Sequence, residues 1–232
     1  MEKSRIRHRV ERTRNKHSRA ICREDTIIIR LAKNLSQAEE REHIQSLLRR
    51  MTALVMEEKR KRTVHPFRHL LDGGQRCTVK LASGRRYLFV LRPGPRTRTK
   101  QLRNGWMIDV GPGLRRRALH RLLWNLLAQR EKARIEAMVR SINAATFRVS
   151  VRRVKFCFAL TQWGSCSSRG VIMLNAALLF LPPSLLKYVI VHELAHRLVP
   201  DHSQRYWDTV RRHMPGFTRP YRTLQQFRLP TL

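Results

Sequence analysis

The first clear hydrophobic pattern is Thr26–Leu31 (TIIIRL), a β-branched run that predicts a strand. Ser36–Glu39 (SQAE) has the spacing of a capping box. After it, Ile44, Leu47, Leu48, Met51, Leu54 and Val55 recur at helical spacing on one face. That helix runs out in Lys59–Arg62 (KRKR), which reads as a solvated helix end or as a nuclear address or phosphate contact. Beyond Asp72–Gly74 the period shortens to two. Cys77, Val79 and Leu81 alternate with polar residues, Ser83-Gly84 supplies a turn, and Arg86–Leu91 (RYLFVL) and Trp106–Val110 (WMIDV) read as further strands.

Gly111–Gly113 (GPG) marks the expected boundary between a β-rich basic region, 1–112, and a second region, 113–232. The second region opens with a long helical pattern through Leu119, Leu122, Leu123, Leu126, Leu127, Ile135, Met138, Val139 and Ile142, long enough for a kink or break. Strand-like Val149–Leu160 and Val171–Asn175 (VIMLN) follow, joined by Thr161–Gly170 (TQWGSCSSRG). Pro182–Val199 reads as a helix, with Pro183 in its first turn and Pro200 as its stop. A short helix from about His202 to His213, capped by Asp201, closes the pattern. The fold class expected is α+β: a β-rich N-terminal region with one helix, then a long helix, a small antiparallel sheet, the Pro183 helix and a short C-terminal helix.

Composition adds charge to this picture. The 232 residues carry 49 Lys and Arg against 16 Asp and Glu, a formal net charge of +33 with a pI near 11.8. Such an excess attracts polyanions (nucleic acid, ribosomal surfaces or anionic lipid) unless it is only a solvated face. At 42% hydrophobic the chain is a folded protein rather than a disordered basic tail. Its four cysteines, Cys22, Cys77, Cys157 and Cys166, form no CxxC pair, which argues against a disulfide framework or a cysteine-held metal. No run approaches the roughly 18 apolar residues of a membrane span, so no membrane association is expected. The Arg-rich start, interrupted by Glu2 and Glu11, lacks the apolar core of a secretory signal, and a cytoplasmic location is expected.

The densest chemistry lies in Val191–His202 (VHELAHRLVPDH). His192 and His196 are four apart on the predicted helix, hence about 40° apart in azimuth and one turn apart in height, so both can reach one ion. Glu193, one step round, can face a metal-bound water without ligating the metal; this is the HExxH division of roles. His202, just past the Pro200 break, supplies a third ligand and leaves a fourth position open, as in catalytic rather than structural zinc sites. The preceding run, Leu185 to Val191, is almost wholly apolar. Burying these groups there without partners would cost several kcal/mol, and a metal offsets that cost. Zinc is the cofactor expected.

These residues carry a family resemblance. Trp163–Trp207 resembles the YgjP-like metallopeptidase domain in its WGSC segment (Trp163–Cys166), Leu174-Asn175, HELAH (His192–His196), His202-Ser203 and Tyr206-Trp207. That family is akin in its core to the SprT-like and minigluzincin proteases, and the resemblance implies a zincin-type metallopeptidase core acting on peptide or protein substrates. Gln162 stands where the family often has Arg. The resemblance also suggests that Val171–Asn175 pairs with extended substrate through its backbone, which makes Val171, Met173 and Asn175 candidate substrate contacts. The alternative is a plain core strand. Trp163 is either a substrate contact or a core anchor behind the helix, and Cys166 reads as structural. The expected function is therefore a zinc metallopeptidase, with His192, His196 and His202 on the metal and Glu193 as general base. The alternative is a basic nucleic-acid-binding protein with a structural or weak zinc site, and the two combine in a protease recruited to nucleoprotein.

Overall fold

The computed structural model describes residues 7–23 and 26–230, so Glu2 lies outside the described residues. The chain divides into two compact units, Met1–Lys61 and Arg62–Leu232.

In the first unit, β1 (Arg7–Arg12), β2 (Arg19–Arg23) and β3 (Thr26–Leu31) form a sheet ordered β1-β3-β2. The most apolar strand takes the centre, parallel to β1 and antiparallel to β2. β1 and β2 carry too few apolar residues to announce themselves as strands, and β3 supplies their pairing partner. The helix α1 (Gln37–Arg60) starts at the expected capping box, with Ser36 and Glu39 each satisfying the other's backbone N–H. Ile44, Leu47, Leu48 and Met51 pack on Ile27, Ile29 and Leu31, whereas Leu54 stays 54% exposed. A fork of hydrogen bonds from Arg12 to Glu40, at 3.0 and 2.8 Å, ties β1 to α1.

The second unit begins with β4 (Arg62–Thr63) and the single turn α2 (Arg68–Leu71). β5 (Arg76–Lys80), β6 (Arg86–Pro93), β7 (Arg98–Leu102) and β8 (Gly105–Val110) follow, in sheet order β5-β6-β8-β7. Alternation turns Val79, Tyr87, Phe89, Leu91, Trp106 and Ile108 into the core, and the opposite face carries half-buried Leu88, Val90 and Met107 ringed by exposed cations. Next comes α3 (Arg116–Ala145), unbroken over 30 residues, hence about 45 Å long. Its buried residues make one wide face, Leu119, Leu123 and Leu127 beside His120, Trp124, Ala128 and Glu131, whereas Arg117, Arg121, Asn125, Gln129, Lys132 and Arg140 stay exposed on the other.

β9 (Arg153–Cys157), β10 (Gly164–Cys166) and β11 (Val171–Asn175) make the small sheet in the order β10-β11-β9. It is mixed rather than wholly antiparallel: β10 and β11 form the hairpin, but β11 runs parallel to β9. A 3-10 turn, Ala176–Phe180, leads into α4 (Pro183–Ala195). The expected closing helix is α5 (Gln204–His213), capped at Ser203 rather than Asp201. A further helix, α6 (Thr218–Leu224), and β12 (Phe227–Arg228) lie beyond it, with β12 paired parallel to β4. Among the described residues no helix is long and apolar enough to cross a membrane.

One buried charge locks α3 to the four-stranded sheet. Glu131, 0% exposed, accepts hydrogen bonds from Tyr87 Oη, from Arg85 at 3.0 Å and from Arg134 at 2.5 Å. Burial alone would raise its pKa, but these donors outweigh burial and hold it below the ordinary 4.5. A depressed folded pKa gives stability that is complete above that ordinary value and fades as pH falls through the folded one. Glu131→Gln should therefore cost about 1–3 kcal/mol in urea unfolding at pH 7, with the deficit shrinking under acid conditions.

Candidate metal centre

Leu185, Leu186, Val189, Ile190, Val191 and Leu194 bury α4 in the core, so whatever polar groups its last turn carries are placed by packing. The helix ends at Ala195, with His196 still in helical conformation at its cap. Arg197 to Val199 wind on, their amides bonding back to Leu194 and Ala195. Pro200 stops the turn, and Asp201–Ser203 carry the chain back across the end of α4.

That reversal brings His192, His196 and His202 together, each offering a ring nitrogen, all within 4.8 Å of one another. His192 Nε2 and His202 Nε2 are 3.3 Å apart. Two nitrogens held at 2.0–2.1 Å by one tetrahedral ion stand about 3.4 Å apart, so the donor set fits zinc. The outward nitrogens have partners: His196 Nδ1 lies 3.2 Å from the Val199 carbonyl, which can only accept and so places the ring hydrogen there, and His192 Nδ1 lies 3.4 Å from Tyr188 Oη. Burial, reinforced by the other two rings, lowers His192 to about 3, and burial also lowers His196. Both shifts favour the neutral imidazole, the state that ligates.

Tyr206 backs all three rings. Its own ring stacks on His196 at 4.6 Å and meets His202 at 4.8 Å and His192 at 5.3 Å, and its hydroxyl donates to the His192 carbonyl at 3.1 Å. Trp207 lies against His202 and stacks on Phe217. Sequence spacing offers a signal for this role, since Tyr206 falls four residues, about one helical turn, after His202. Tyr188, four before His192, has the same signature.

Glu193, 4% exposed, sits outside the cluster of ring nitrogens. Burial pushes its pKa up to about 8. Its carboxylate lies against Gly164, where a Cβ would come within 2.4 Å of Oε1. The Gly of WGSC is thus required by the glutamate, a reason the sequence does not reveal. Arg197 bridges the end of α4 to the hairpin, donating to the carbonyls of Ser150, Ser167 and Ser168 at 3.1, 3.3 and 2.8 Å. Beside the glutamate a cleft of about 210 Å³ is lined by Trp163, Gly164, Tyr188, His192, Glu193 and Tyr221.

The strand expectation needs correction. Val171, Met173 and Asn175 sit in the middle strand, occupied by β9 on one side and β10 on the other, so no hydrogen-bonding edge is free for substrate. Asn175 is structural: its side chain donates to the Ala159 and Gln162 carbonyls, both at 2.8 Å, and accepts from Ala177 N. The edge strands are β10 and β9, and β10 is the one that lies against Glu193. Trp163 packs against the core and also lines the cleft. Cys166 has its thiol pKa raised by burial, which disfavours the thiolate a nucleophile would need.

A family model for the YgjP-like, metallopeptidase domain matches residues 15–227. By class the protein is a metallopeptidase. The chain belongs to the YgjP-like metallopeptidase family, as the motifs around HELAH implied. Among solved structures it is similar to the metallopeptidase zymogen abylysin of Pyrococcus abyssi, at 22% identity and a TM-score of 0.36, over 41% of this chain and 99% of that one. The zymogen jannalysin of Methanocaldococcus jannaschii gives 18% and 0.36, over 40% and 94%. No curated protein matches the chain.

Gly164→Ala should displace the Glu193 carboxylate by about 1 Å and lower peptide hydrolysis about 10²-fold, with bound metal unchanged in elemental analysis. Full activity in the alanine variant would mean that this contact does not constrain the carboxylate.

Proposed function

We propose that the protein is a zinc-dependent peptidase whose machinery lies within 113–232, with His192, His196 and His202 holding the ion and Glu193 serving as general base. The observation that carries this reading is the convergence of three imidazoles, two of them shifted towards the neutral form, next to a buried carboxylate that is not itself among the ring nitrogens. A zinc ion held there would act as a Lewis acid on a water and on the scissile carbonyl.

The remaining work falls to the chain. Glu193 takes the proton from the attacking water and delivers it to the leaving amine. A base whose pKa burial has raised towards neutrality is matched to both halves of that transfer. Gly164 fixes the carboxylate's position, and Tyr188 and Val199 orient the two helix histidines. Extended substrate would lie along the outer edge of β10, Gly164–Cys166, with Trp163 and Tyr221 bounding the cleft. Glu193→Gln should keep zinc and lose at least about 10²-fold in peptide hydrolysis, whereas His202→Ala should lose the zinc itself. Proteolysis surviving in the glutamine variant would overturn the role given to Glu193.

A second reading, nucleic-acid association, is favoured by one surface. The outer face of the four-stranded sheet presents Arg76, Lys80, Arg86, Arg92, Arg98 and Lys100, all exposed, with Asp109 paired to Arg92 as a counter-charge. Tyr87, Phe89 and Trp106 point into the core, so that face can contact phosphates and not stack on bases. Oligonucleotide affinity should then fall about 10³-fold between 50 and 200 mM salt and show little base preference. Affinity indifferent to salt would remove this reading and leave the peptidase untouched.

A further inference from the structure

A second cavity, about 290 Å³, lies in the same unit among His65, Phe67, Arg68, Leu71, Arg116 and His120. No carboxylate lines it. Its floor is buried, Phe67 at 1% and His120 at 6% exposure, and its rim of His65, Arg68 and Arg116 is open to solvent.

The floor histidine has a defined tautomer. Trp124 Nε1 donates to His120 Nε2 at 2.9 Å, and an indole nitrogen can only donate, so Nε2 accepts and the ring hydrogen sits on Nδ1. Edge-on contacts with Trp124 and Phe158 hold the ring in that orientation. Among the described residues His120 has no second hydrogen bond, yet no buried side-chain nitrogen or oxygen is left without a partner. The Nδ1–H is therefore not sealed in the core, and the cavity that His120 lines is where it opens.

The rim is cationic and braced. Arg116 donates to Asp72 at 2.7 Å and to the Leu71 carbonyl, and Arg68 stands 3.6 Å from the same Asp72. One carboxylate shared by two guanidiniums leaves an uncompensated positive charge facing the opening. The start of α3 adds to it: Arg115, Arg116 and Arg117 occupy its first positions, with no side-chain cap and no acid in the first turn. A helix N-terminus ordinarily favours negative charge, so three arginines there leave an unmet demand for an anion. Burial, together with the neighbouring Arg228 and Arg68 charges, depresses His65; burial, with His65 and Arg116, depresses His120.

We propose that this cavity binds a phosphate group, gripped by the Arg68 and Arg116 guanidiniums with the His120 Nδ1–H beneath it. Donors arriving from two sides and from below suit a tetrahedral oxyanion better than a planar carboxylate. The phosphate is either free or the end of an ester. A thermal-shift titration of the full chain with inorganic phosphate, against chloride at matched ionic strength, tests the site without reference to peptidase activity. Nucleoside 5′-monophosphate beside the plain nucleoside forms a second arm. Saturable stabilisation by phosphate identifies a free anion site, and saturation by the monophosphate alone identifies an ester site.

In either case Arg68→Gln, which sacrifices only the long Asp72 pair, should raise the half-saturating concentration at least tenfold. Arg140→Gln, exposed at the far end of α3, should not. A shift of the His120 ring resonances on titration, with Arg68→Gln weakening it, gives a reading independent of stability. A response that follows ionic strength alone, or that Arg68→Gln leaves unaltered, overturns the proposal.

Discussion

The arrangement at the end of α4 depends on Tyr206. A fully buried aromatic ring stacks on one histidine, meets two others edge-on, and sends its hydroxyl to the backbone that carries the first of them. Without that surface His202 would be an exposed residue on a loop after a proline, with little to fix its direction. The stacking also explains why α5 follows at once: Tyr206 and Val210 bury one side of a helix whose other residues remain polar. Because the helix is short, its contribution rests on those anchors and on Trp207 against Phe217 rather than on helix propensity.

On the far side of α4 the constraint is one of space. Glu193 is placed by the helix, and the hairpin β10–β11 must come close enough to bury it without touching it. Gly164 makes that approach possible, Asn175 ties the loop before β10 to the strand behind it, and Arg197 fastens the hairpin turn to the helix end. The WGSC segment is thus the wall of the glutamate's compartment. Its cysteine belongs to that wall, where burial raises the thiol's pKa.

How legible this was depended on how local each cause is. The capping box at Ser36, the apolar run from Leu185 to Val191, the Pro183 start and the i, i+4 histidines act within one or two turns, and the structure matches them closely. β1 and β2 were invisible, because strands rich in Arg are made strands by the neighbour they pair with. The register of the small sheet was equally non-local: that β11 lies inside, parallel to β9, follows from where the long helix α3 returns the chain. Val171–Asn175 was accordingly expected to offer a free edge, which lies instead one hairpin arm back, on β10. Gly164 shows the limit most plainly, since the atom that requires a glycine there belongs to a residue 29 positions away.

The pairing of β12 with β4 has a temporal side. Arg62–Thr63 are made early and Phe227–Arg228 late, and Arg228 also reaches Thr63 through a side-chain hydrogen bond of 2.6 Å. A nascent chain that has reached Pro200 already contains the first two histidines and the glutamate, but neither His202 nor the tyrosine behind it. On the proposed assignment, synthesis therefore leaves the set of three histidines incomplete until the chain has passed Pro200. On the same proposal, a chain stalled before His202 would lack the third ligand.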